Sequence, residues 1–479
     1  MKRMLKFLII GIAIVVIASV FFFTSYQEGR ADREAYFSAD DAVAFVHVNV
    51  IPMDREVVLF DQTVIIEEGR IHEIGPASST KVKTGVTIID AHGQYLMPAL
   101  SDMHVHLLGQ TWNIMFPPEA QFTADELDFN KLLFLYVANG VATVQVMSAF
   151  PEHVLIREQI RRGEILGPRL ILARMIDGPG KAWPPPLSDW VATAAEARKA
   201  VIDAKETGYD KMKVYSFLSQ ECYDSIVATA EEVGMPVEGH IPMDLSVEYT
   251  LDAGQNCIAH AEEVKKHAQG DYTQERIDYY AKIIADSNTW ITPTLIMKRN
   301  LLAIFNNVDN ELARPEVRYL HPMGQGVWSF LINNNYMAMP QEYQRALEDA
   351  FESFERPFTK ALHDQGGKLM TGTDSLVPTT MPGFSIHREL EELVDIGLTP
   401  YEALRASTTH PSIFLGELDE AGSVAVGKRA DLLLLEENPL EEITNSRKIA
   451  GVMIQGRWLS KREIQEGLEE VLAFNEAVK

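Results

Sequence analysis

The chain is short of cysteine and of basic residues, and each shortage excludes a class of protein. Cys222 and Cys257 are the two cysteines in 479 residues, too few for a disulfide scaffold, and neither belongs to a C-x-x-C pair. We expect both to be small buried residues, with a single disulfide left open. Lys and Arg number 43 against 68 Asp and Glu, a formal net charge of −25. No nucleic-acid partner is therefore expected, because phosphate binding needs a basic surface.

The rest of the composition is ordinary for a folded protein. Hydrophobic residues make up 46% of the chain and charged residues 23%, so nothing indicates a disordered or fibrous protein. A chain of this length can bury a large core. It suits one large α/β domain with a small appended one, or two to three domains. The acidic excess predicts solubility.

Residues 1–30 are predicted to be a membrane anchor. The basic start "MKRMLK" precedes an uninterrupted apolar run from Phe7 to Phe23, near the lower length limit for spanning a bilayer and long for the core of a signal peptide. No A-x-A cleavage site follows, and no lipobox cysteine is present. The positive-inside rule places the rest of the chain on the periplasmic or extracellular side. The alternative is a cleaved signal and a secreted protein.

The order of segments predicts an α/β fold with a (β/α)₈ TIM barrel. Between residues 97 and 415, eight short apolar segments alternate with polar or amphipathic stretches, which is the plan of such a barrel. Short β-branched runs with turn residues occupy residues 31–96 and 416–479, and we predict that they build one small β-sandwich, followed by a C-terminal helix. Residues 298–360 are expected to form helices near the barrel rim. A doubly wound open sheet is the alternative, because the sequence does not show whether the sheet closes into a barrel.

Polar side chains recur at the predicted carboxyl ends of the barrel strands, which converge on one mouth. The first strand ends in "DMHVH", whose two histidines point the same way because strand side chains alternate faces. The candidates are His104 and His106 (first strand), Lys213 (fourth), His240 (fifth), His260 (sixth) and Asp374 (eighth). Their convergence predicts a metal site rather than a set of structural histidines.

Two divalent ions fit this set of side chains. Imidazole nitrogen and carboxylate oxygen suit Zn²⁺, with Mn²⁺, Co²⁺ or Fe²⁺ as alternatives. Burial lowers the pKa of a lysine, and a neutral Lys213 amine can take up CO₂ to give a carbamate that bridges two ions. A buried ion pair of Lys213 with Asp210 or Glu238 is the alternative. Two ions about 3.5–4 Å apart would hold hydroxide near neutral pH. Asp374 would then accept its proton and pass it to the leaving group.

Several motifs resemble those of the binuclear amidohydrolases, in particular the prolidase-like and imidazolonepropionase-like branch. They are "PALSDMHVHL", "DKMKVYS", "GHIP", "IAHAEE", "TGTDS" and the tail from "GLTPYEALRASTTHP" to "ADLLLLEENPLEEI", over roughly residues 42–460. The resemblance implies a metal-dependent (β/α)₈ barrel with a split β-sandwich. It makes His104 and His106 ligands of one ion, His240 and His260 ligands of the other, carboxylated Lys213 the bridge, and Asp374 both a ligand and the proton shuttle.

Two departures from that pattern stand out. The second strand reads "GVATVQVMS", where relatives often carry Arg-Asp after the apolar run, so that Gln145 and Val146 stand there instead. The sixth-strand motif "IAHAEE" also differs from the more usual Glu-His-Leu. Contacts inherited through the second strand are therefore not carried over to this chain.

Three residues are candidates for substrate binding. Tyr215 should face as Lys213 does and could donate a hydrogen bond to a carbonyl or oxyanion oxygen. Arg174 and His387 lie where the loops of the third and eighth strands would approach the mouth. The segment "DGPGKAWPPP" predicts a structured loop carrying Trp183.

These features predict a membrane-anchored amidohydrolase that cleaves an amide or peptide C–N bond in a dipeptide-like or N-acylated small substrate. The alternatives on the same site are a lactonase, an esterase or a phosphotriesterase. A deaminase is disfavoured, because a one-metal site would not need the lysine of the fourth strand. A metal-binding sensor without turnover is the rival from another class, and Asp374 argues against it. Sequence leaves the substrate, the ions used, and any homo-oligomer open.

Overall fold

The computed structural model of the protein describes residues 42–180 and 183–478. Within these residues, no helix is long and apolar enough to cross a membrane. The predicted anchor of residues 1–30 lies outside the described residues, as does the first part of the predicted segment 31–96.

The strands of the described chain are β1 (Val43–Val50), β2 (Leu59–Glu67), β3 (Arg70–Pro76), β4 (Thr87–Asp90), β5 (Tyr95–Pro98), β6 (Leu100–Val105), β7 (Val141–Val146), β8 (Arg169–Asp177), β9 (Asp189–Trp190), β10 (Lys211–Val214), β11 (Val237–Gly239), β12 (Cys257–Ala259), β13 (Trp290–Thr292), β14 (Lys368–Leu369), β15 (Leu432–Leu435), β16 (Ile449–Ile454) and β17 (Arg457–Ser460).

The α-helices are α1 (Phe129–Ala138), α2 (Pro151–Arg161), α3 (Ala194–Thr207), α4 (Gln220–Val233), α5 (Val247–Asp252), α6 (Ala261–His267), α7 (Gln274–Ala285), α8 (Leu295–Leu312), α9 (Pro322–Leu331), α10 (Gln341–Ala350), α11 (Arg356–Asp364), α12 (Ser385–Asp395), α13 (Pro400–Ser407), α14 (Thr409–Phe414) and α15 (Lys461–Val478). Helix α3 shows how local sequence sets such bounds. It starts at a capping box of Thr193 and Glu196 and ends at Gly208, whose φ of 99° is left-handed, a conformation that glycine adopts at little cost.

One sheet joins the two ends of the described chain. Its strand order is β17-β16-β15-β5-β1-β2-β3, with β4 also paired to β1. The two ends meet where β5 and β15 pair antiparallel, with Leu96 opposite Leu434. The buried face includes Phe45, against which the Trp458 ring packs edge-on with its centroid 5.1 Å away. Strands from before and after the central part of the chain therefore share one core.

The central part forms a parallel sheet in the order β6-β7-β8-β10-β11-β12-β13-β14. Backbone bonds also join the two ends of this order: Met103 N donates to Thr371 O at 2.9 Å and His106 N donates to Ser375 O at 2.8 Å. The α/β class with a parallel sheet is therefore confirmed. The sequential order and the bonds between first and last strands are consistent with a TIM barrel, whereas the order in a doubly wound sheet reverses.

A long insertion separates β13 from β14. It runs from α8 to α11 and contains two π-helical turns, Ile332–Tyr336 and Phe351–Glu355. Residues 295–355 are called the cap segment below. Parts of α8, α9 and α10 line a cavity at the carboxyl ends of the barrel strands, so the insertion is placed to cover the site described next.

Candidate active site

The six polar residues predicted at the strand ends lie together. The Asp374 Oδ1 atom is 3.1 Å from His106 Nε2 and 3.4 Å from His104 Nε2, and its Oδ2 atom is 3.9 Å from His260 Nδ1. The Lys213 Nζ atom is 3.4 Å from His104 Nε2. The ring centroids of His240 and His260 are 5.2 Å apart. The strand order thus brings residues from five strand ends into one cluster.

Two members of the cluster are held in left-handed backbone. His260 has φ 67° and Asp374 has φ 56°, values that non-glycine residues adopt at some cost. Both are fixed by strand-to-strand bonds, since His260 N donates to Thr292 O at 2.7 Å and Asp374 N donates to His104 O at 2.8 Å. The surrounding sheet therefore determines where these two side chains point.

Neighbouring side chains orient the histidine rings. His260 Nδ1 lies 2.8 Å from Thr294 Oγ1, and His240 Nδ1 lies 2.9 Å from Ser216 Oγ and 3.1 Å from Glu263 Oε1. A bond from the second ring nitrogen to such a partner is what fixes a metal-ligating histidine.

The structure contains an observation that fits a metal. The buried His240 Nε2 atom has no hydrogen-bond partner within the described residues, although buried polar atoms are almost always paired. His104, His260 and Asp374 each offer one ligand atom, and these atoms lie within 4.8 Å of one another. A divalent ion would satisfy such lone pairs, and neutral imidazole with carboxylate is the donor set that Zn²⁺ takes.

Burial sets the protonation of these groups. It lowers the pKa of His260 to about 4 and those of His104 and His240 well below the usual value, so their nitrogens are neutral at pH 7. Burial also lowers the pKa of Lys213 to about 8, which raises the share of free amine. Burial by itself would raise the pKa of Asp374, but His260, His106 and Lys213 lower it to about 2, so this group is ionised.

The alternative in which Lys213 forms an ion pair with Asp210 or Glu238 is wrong. Glu238 is bonded to Lys211, which lies two residues before Lys213 on β10. The Glu238 carboxylate also accepts a hydrogen bond from Gln145 Nε2 at 2.6 Å. Asp210 accepts from Arg157 Nη1 at 2.7 Å. Neither carboxylate contacts Lys213, whose amine instead faces His104.

Gln145, which stands with Val146 where relatives often carry Arg-Asp, connects neighbouring strands. Its Nε2 donates to Met103 O at 3.1 Å as well as to Glu238, and its Oε1 accepts from Lys211 Nζ at 2.7 Å. The side chain therefore ties β7 to the strands that carry His104 and Lys213. Val146 is buried in the same strand.

Comparison with known proteins decides the family. Residues 95–459 match the model of the Amidohydrolase family. The chain belongs to this family. It is therefore a hydrolase acting on C–N bonds.

Three similar proteins show the range of the family. A 5-methylthioadenosine/S-adenosylhomocysteine deaminase of Symbiobacterium thermophilum is 23% identical over 81% of this chain and 83% of its own length. The structure of a Xaa-Pro dipeptidase with bound methionine superposes with a TM-score of 0.66 at 19% identity, over 88% of this chain and 100% of that chain. Bottromycin amidohydrolase gives a TM-score of 0.69 at 20% identity, over 91% of both chains. At these identities the two structures show the fold.

In this amidohydrolase the three predicted substrate contacts have different surroundings. Tyr215 lines the cavity and stacks on His240, with ring centroids 4.0 Å apart. Arg174 does not line the cavity, because Asp189 accepts from its Nε at 2.9 Å and the carbonyl of Pro186 accepts from its Nη2. His387 lies on α12 with its Nδ1 3.0 Å from Ser446 Oγ, also away from the cavity. Of these three residues, Tyr215 is the one that borders the cavity.

The cavity has a volume of about 290 Å³ and contains residues that the sequence analysis missed. Lys266 lies in "AHAEEVKK" close to a predicted ligand, and that proximity was a usable signal. Lys298 and Tyr336 come from the cap segment, whose path over the barrel cannot be deduced from periodicity. Further lining residues are mostly apolar: Trp112, Met175, Trp183, Leu187, Met297, Leu301, Val327, Leu331, Met339, Leu347, Leu376 and Val377.

Proposed function

We propose that this amidohydrolase cleaves an amide or peptide C–N bond in a dipeptide-like or N-acylated small substrate with two divalent ions. Zn²⁺ is the first choice, with Mn²⁺, Co²⁺ or Fe²⁺ as alternatives. The supporting observation is a buried cluster in which the Lys213 amine, without a carboxylate bond among the described residues, faces His104 at 3.4 Å. His104 and His106 would hold one ion, His240 and His260 the other, and Lys213 as a carbamate would join them, with Asp374 completing the set.

The chain's own residues supply the proton transfer and the orientation. Bound ions would activate water and polarise the scissile carbonyl. Asp374 is ionised and borders the cavity, so it can accept the proton of the attacking water and deliver it to the leaving nitrogen. Tyr215 also borders the cavity, and burial raises the pKa of its hydroxyl. The hydroxyl therefore stays protonated and can donate to the carbonyl or oxyanion oxygen.

The competing functions would use the same residues on another electrophile. Lactones, esters and phosphotriesters need activated water too, so the geometry alone does not separate them from amides. A deaminase needs one metal and has no use for Lys213 at this position. A sensor without turnover has no use for an ionised Asp374 on the cavity wall.

We further infer that the enzyme is held at a membrane, with its catalytic part on the periplasmic or extracellular side. The apolar run of residues 7–23 behind a basic start supports this location, since such a segment is long enough to span a bilayer with its basic end inside.

Incubating the purified full-length protein in detergent with pools of dipeptides, N-acyl amino acids, lactones and phosphotriesters tests the proposal. We expect turnover in a dipeptide or N-acyl pool, because the leaving nitrogen needs the proton that Asp374 can deliver. A chelator should abolish it and added Zn²⁺, Mn²⁺ or Co²⁺ should restore it. Turnover confined to lactones or phosphotriesters would overturn the bond class, and turnover that survives complete metal removal would overturn the metal site.

A further inference from the structure

Two lysines that take no part in the proposed metal site line the same cavity. Lys266 lies on α6 and Lys298 on α8, and both border the cavity with His240 and His260. Lys298 is 2% exposed. A buried ammonium is costly to keep unless it is paired or has a ligand, so the partners of these two ammonium groups determine what they can bind.

Each of these ammonium groups has donors left over. Lys266 Nζ is bonded to Glu263, and Lys298 Nζ donates to Glu262 Oε2 at 2.6 Å. Within the described chain these are their hydrogen-bond partners, whereas an ammonium carries three N–H donors. Two donors on each lysine therefore remain for a molecule in the cavity.

The local charge favours an anion. The carboxylates of Glu262 and Glu263 face three lysines, because Lys265 also lies 3.8 Å from Glu262. A further carboxylate near Lys298, that of Glu355, has its pKa raised to about 7 by burial, so it supplies less than a full negative charge at neutral pH. In this cluster three lysines thus outnumber the two carboxylates that pair with them, Glu262 and Glu263, which favours an anion beside it.

This wall lies next to the proposed reaction centre. Glu263 connects the two, since its Oε1 atom accepts from Lys266 and is 3.1 Å from His240 Nδ1. In an N-acyl α-amino acid the carboxylate is carried by the carbon bonded to the scissile nitrogen. A substrate whose amide lies at the histidine cluster would therefore bring its carboxylate within reach of the lysines.

The other side of the barrel is apolar. Trp183 and Leu187 follow β8, whereas Lys298 follows β13, four strands further round an order of eight. Trp183 packs edge-on against Trp112 with centroids 6.0 Å apart, and Leu331 and Met339 of the cap segment line the same cavity. Such a surface suits a large apolar group.

We propose that Lys266 and Lys298 bind the carboxylate of an N-acyl α-amino acid whose large apolar acyl group lies toward Trp112 and Trp183. This assignment rests on the proposed amide hydrolysis and narrows its substrate class. The lysines are binding residues for the leaving amino acid, and the aromatic side selects the acyl group.

The test compares two substrates of nearly equal shape, N-octanoyl-L-alanine and the neutral N-octanoyl-L-alaninamide. Lys266→Met and Lys298→Met should each raise KM for the acid about tenfold or more, the size of a lost hydrogen bond to a charged group. KM for the neutral amide should change by less than about twofold, because this substrate has no carboxylate for the lysines to bind. Lys265→Met is the matched control, because it removes one positive charge from the helix that carries Lys266 without touching the cavity. We also expect the wild type to prefer the octanoyl over the acetyl derivative of alanine.

The outcomes separate this inference from the proposed function. Equal KM increases for acid and amide would assign the lysines a structural role and overturn the inference, as would an unchanged KM for the acid. Hydrolysis of other amides but of neither octanoyl substrate would overturn the inference and leave the proposed function standing. Hydrolysis of no amide in any pool would overturn both.

Discussion

Replacing Asp374 by Asn is expected to lower kcat by about a thousandfold, within the range that a positioned general acid–base group contributes. The amide keeps the shape of the carboxylate but cannot accept a proton at neutral pH. The carboxylate borders the cavity, 3.1 Å from His106 Nε2 and 3.4 Å from His104 Nε2, so its replacement would also weaken the proposed metal site. Steady-state kinetics on the best substrate of the pools measures the effect.

The control is the same substitution at Asp431. This residue lies at the other end of the barrel, where its carbonyl accepts from Ala99 N ahead of β6. Asp431→Asn should leave kcat unchanged. Undiminished turnover in Asp374→Asn, with the variant folded by circular dichroism, would show that another group moves the proton.

Lys213→Met should remove at least one of the two ions and reduce kcat by about a hundredfold or more. The thioether fills much the same volume but cannot form a carbamate, so the proposed pair of ions would lose the ligand that Lys213 supplies. In the metal-free protein the free energy of unfolding should stay the same or increase, because the Lys213 amine that is removed is buried without a carboxylate bond. Metal analysis and denaturant titration measure the two effects.

Lys211→Met is the matched control on the same strand. Lys211 is bonded to the fully buried Glu238, so its loss should lower the free energy of unfolding by about 3–5 kcal/mol while the folded protein retains both ions. If the two variants lost metal and stability alike, the distinct role assigned to Lys213 would be wrong.

The strand ends of the barrel could be predicted from sequence because parallel strands gather their carboxyl ends at one edge. Short apolar runs that stop at a histidine, a lysine or an aspartate were enough to predict the cluster of His104, Lys213 and Asp374 with its neighbours. The alternative in which Lys213 pairs with Asp210 or Glu238 is wrong. Lys211, two residues earlier on the same strand, is bonded to Glu238 instead. Strand periodicity does not distinguish the two lysines, because side chains two residues apart point to the same face.

The substrate side of the cavity could not be predicted in the same way. Lys298 and Tyr336 belong to the cap segment, whose helices are amphipathic but whose position over the barrel depends on tertiary packing alone. Arg174, by contrast, lies away from the cavity. A cation near the mouth is an attractive ligand for a substrate, but in the structure Asp189 of the following loop binds it.

The metal content of the purified full-length protein, measured by mass spectrometry of the elements, tests whether the buried histidine cluster binds metal. We expect about two divalent ions per chain and a loss of turnover when they are removed. One ion per chain at full turnover would contradict the bridging role of Lys213. A chain that contains no metal and does not respond to added Zn²⁺, Mn²⁺ or Co²⁺ would show that His104, His106, His240 and His260 are structural.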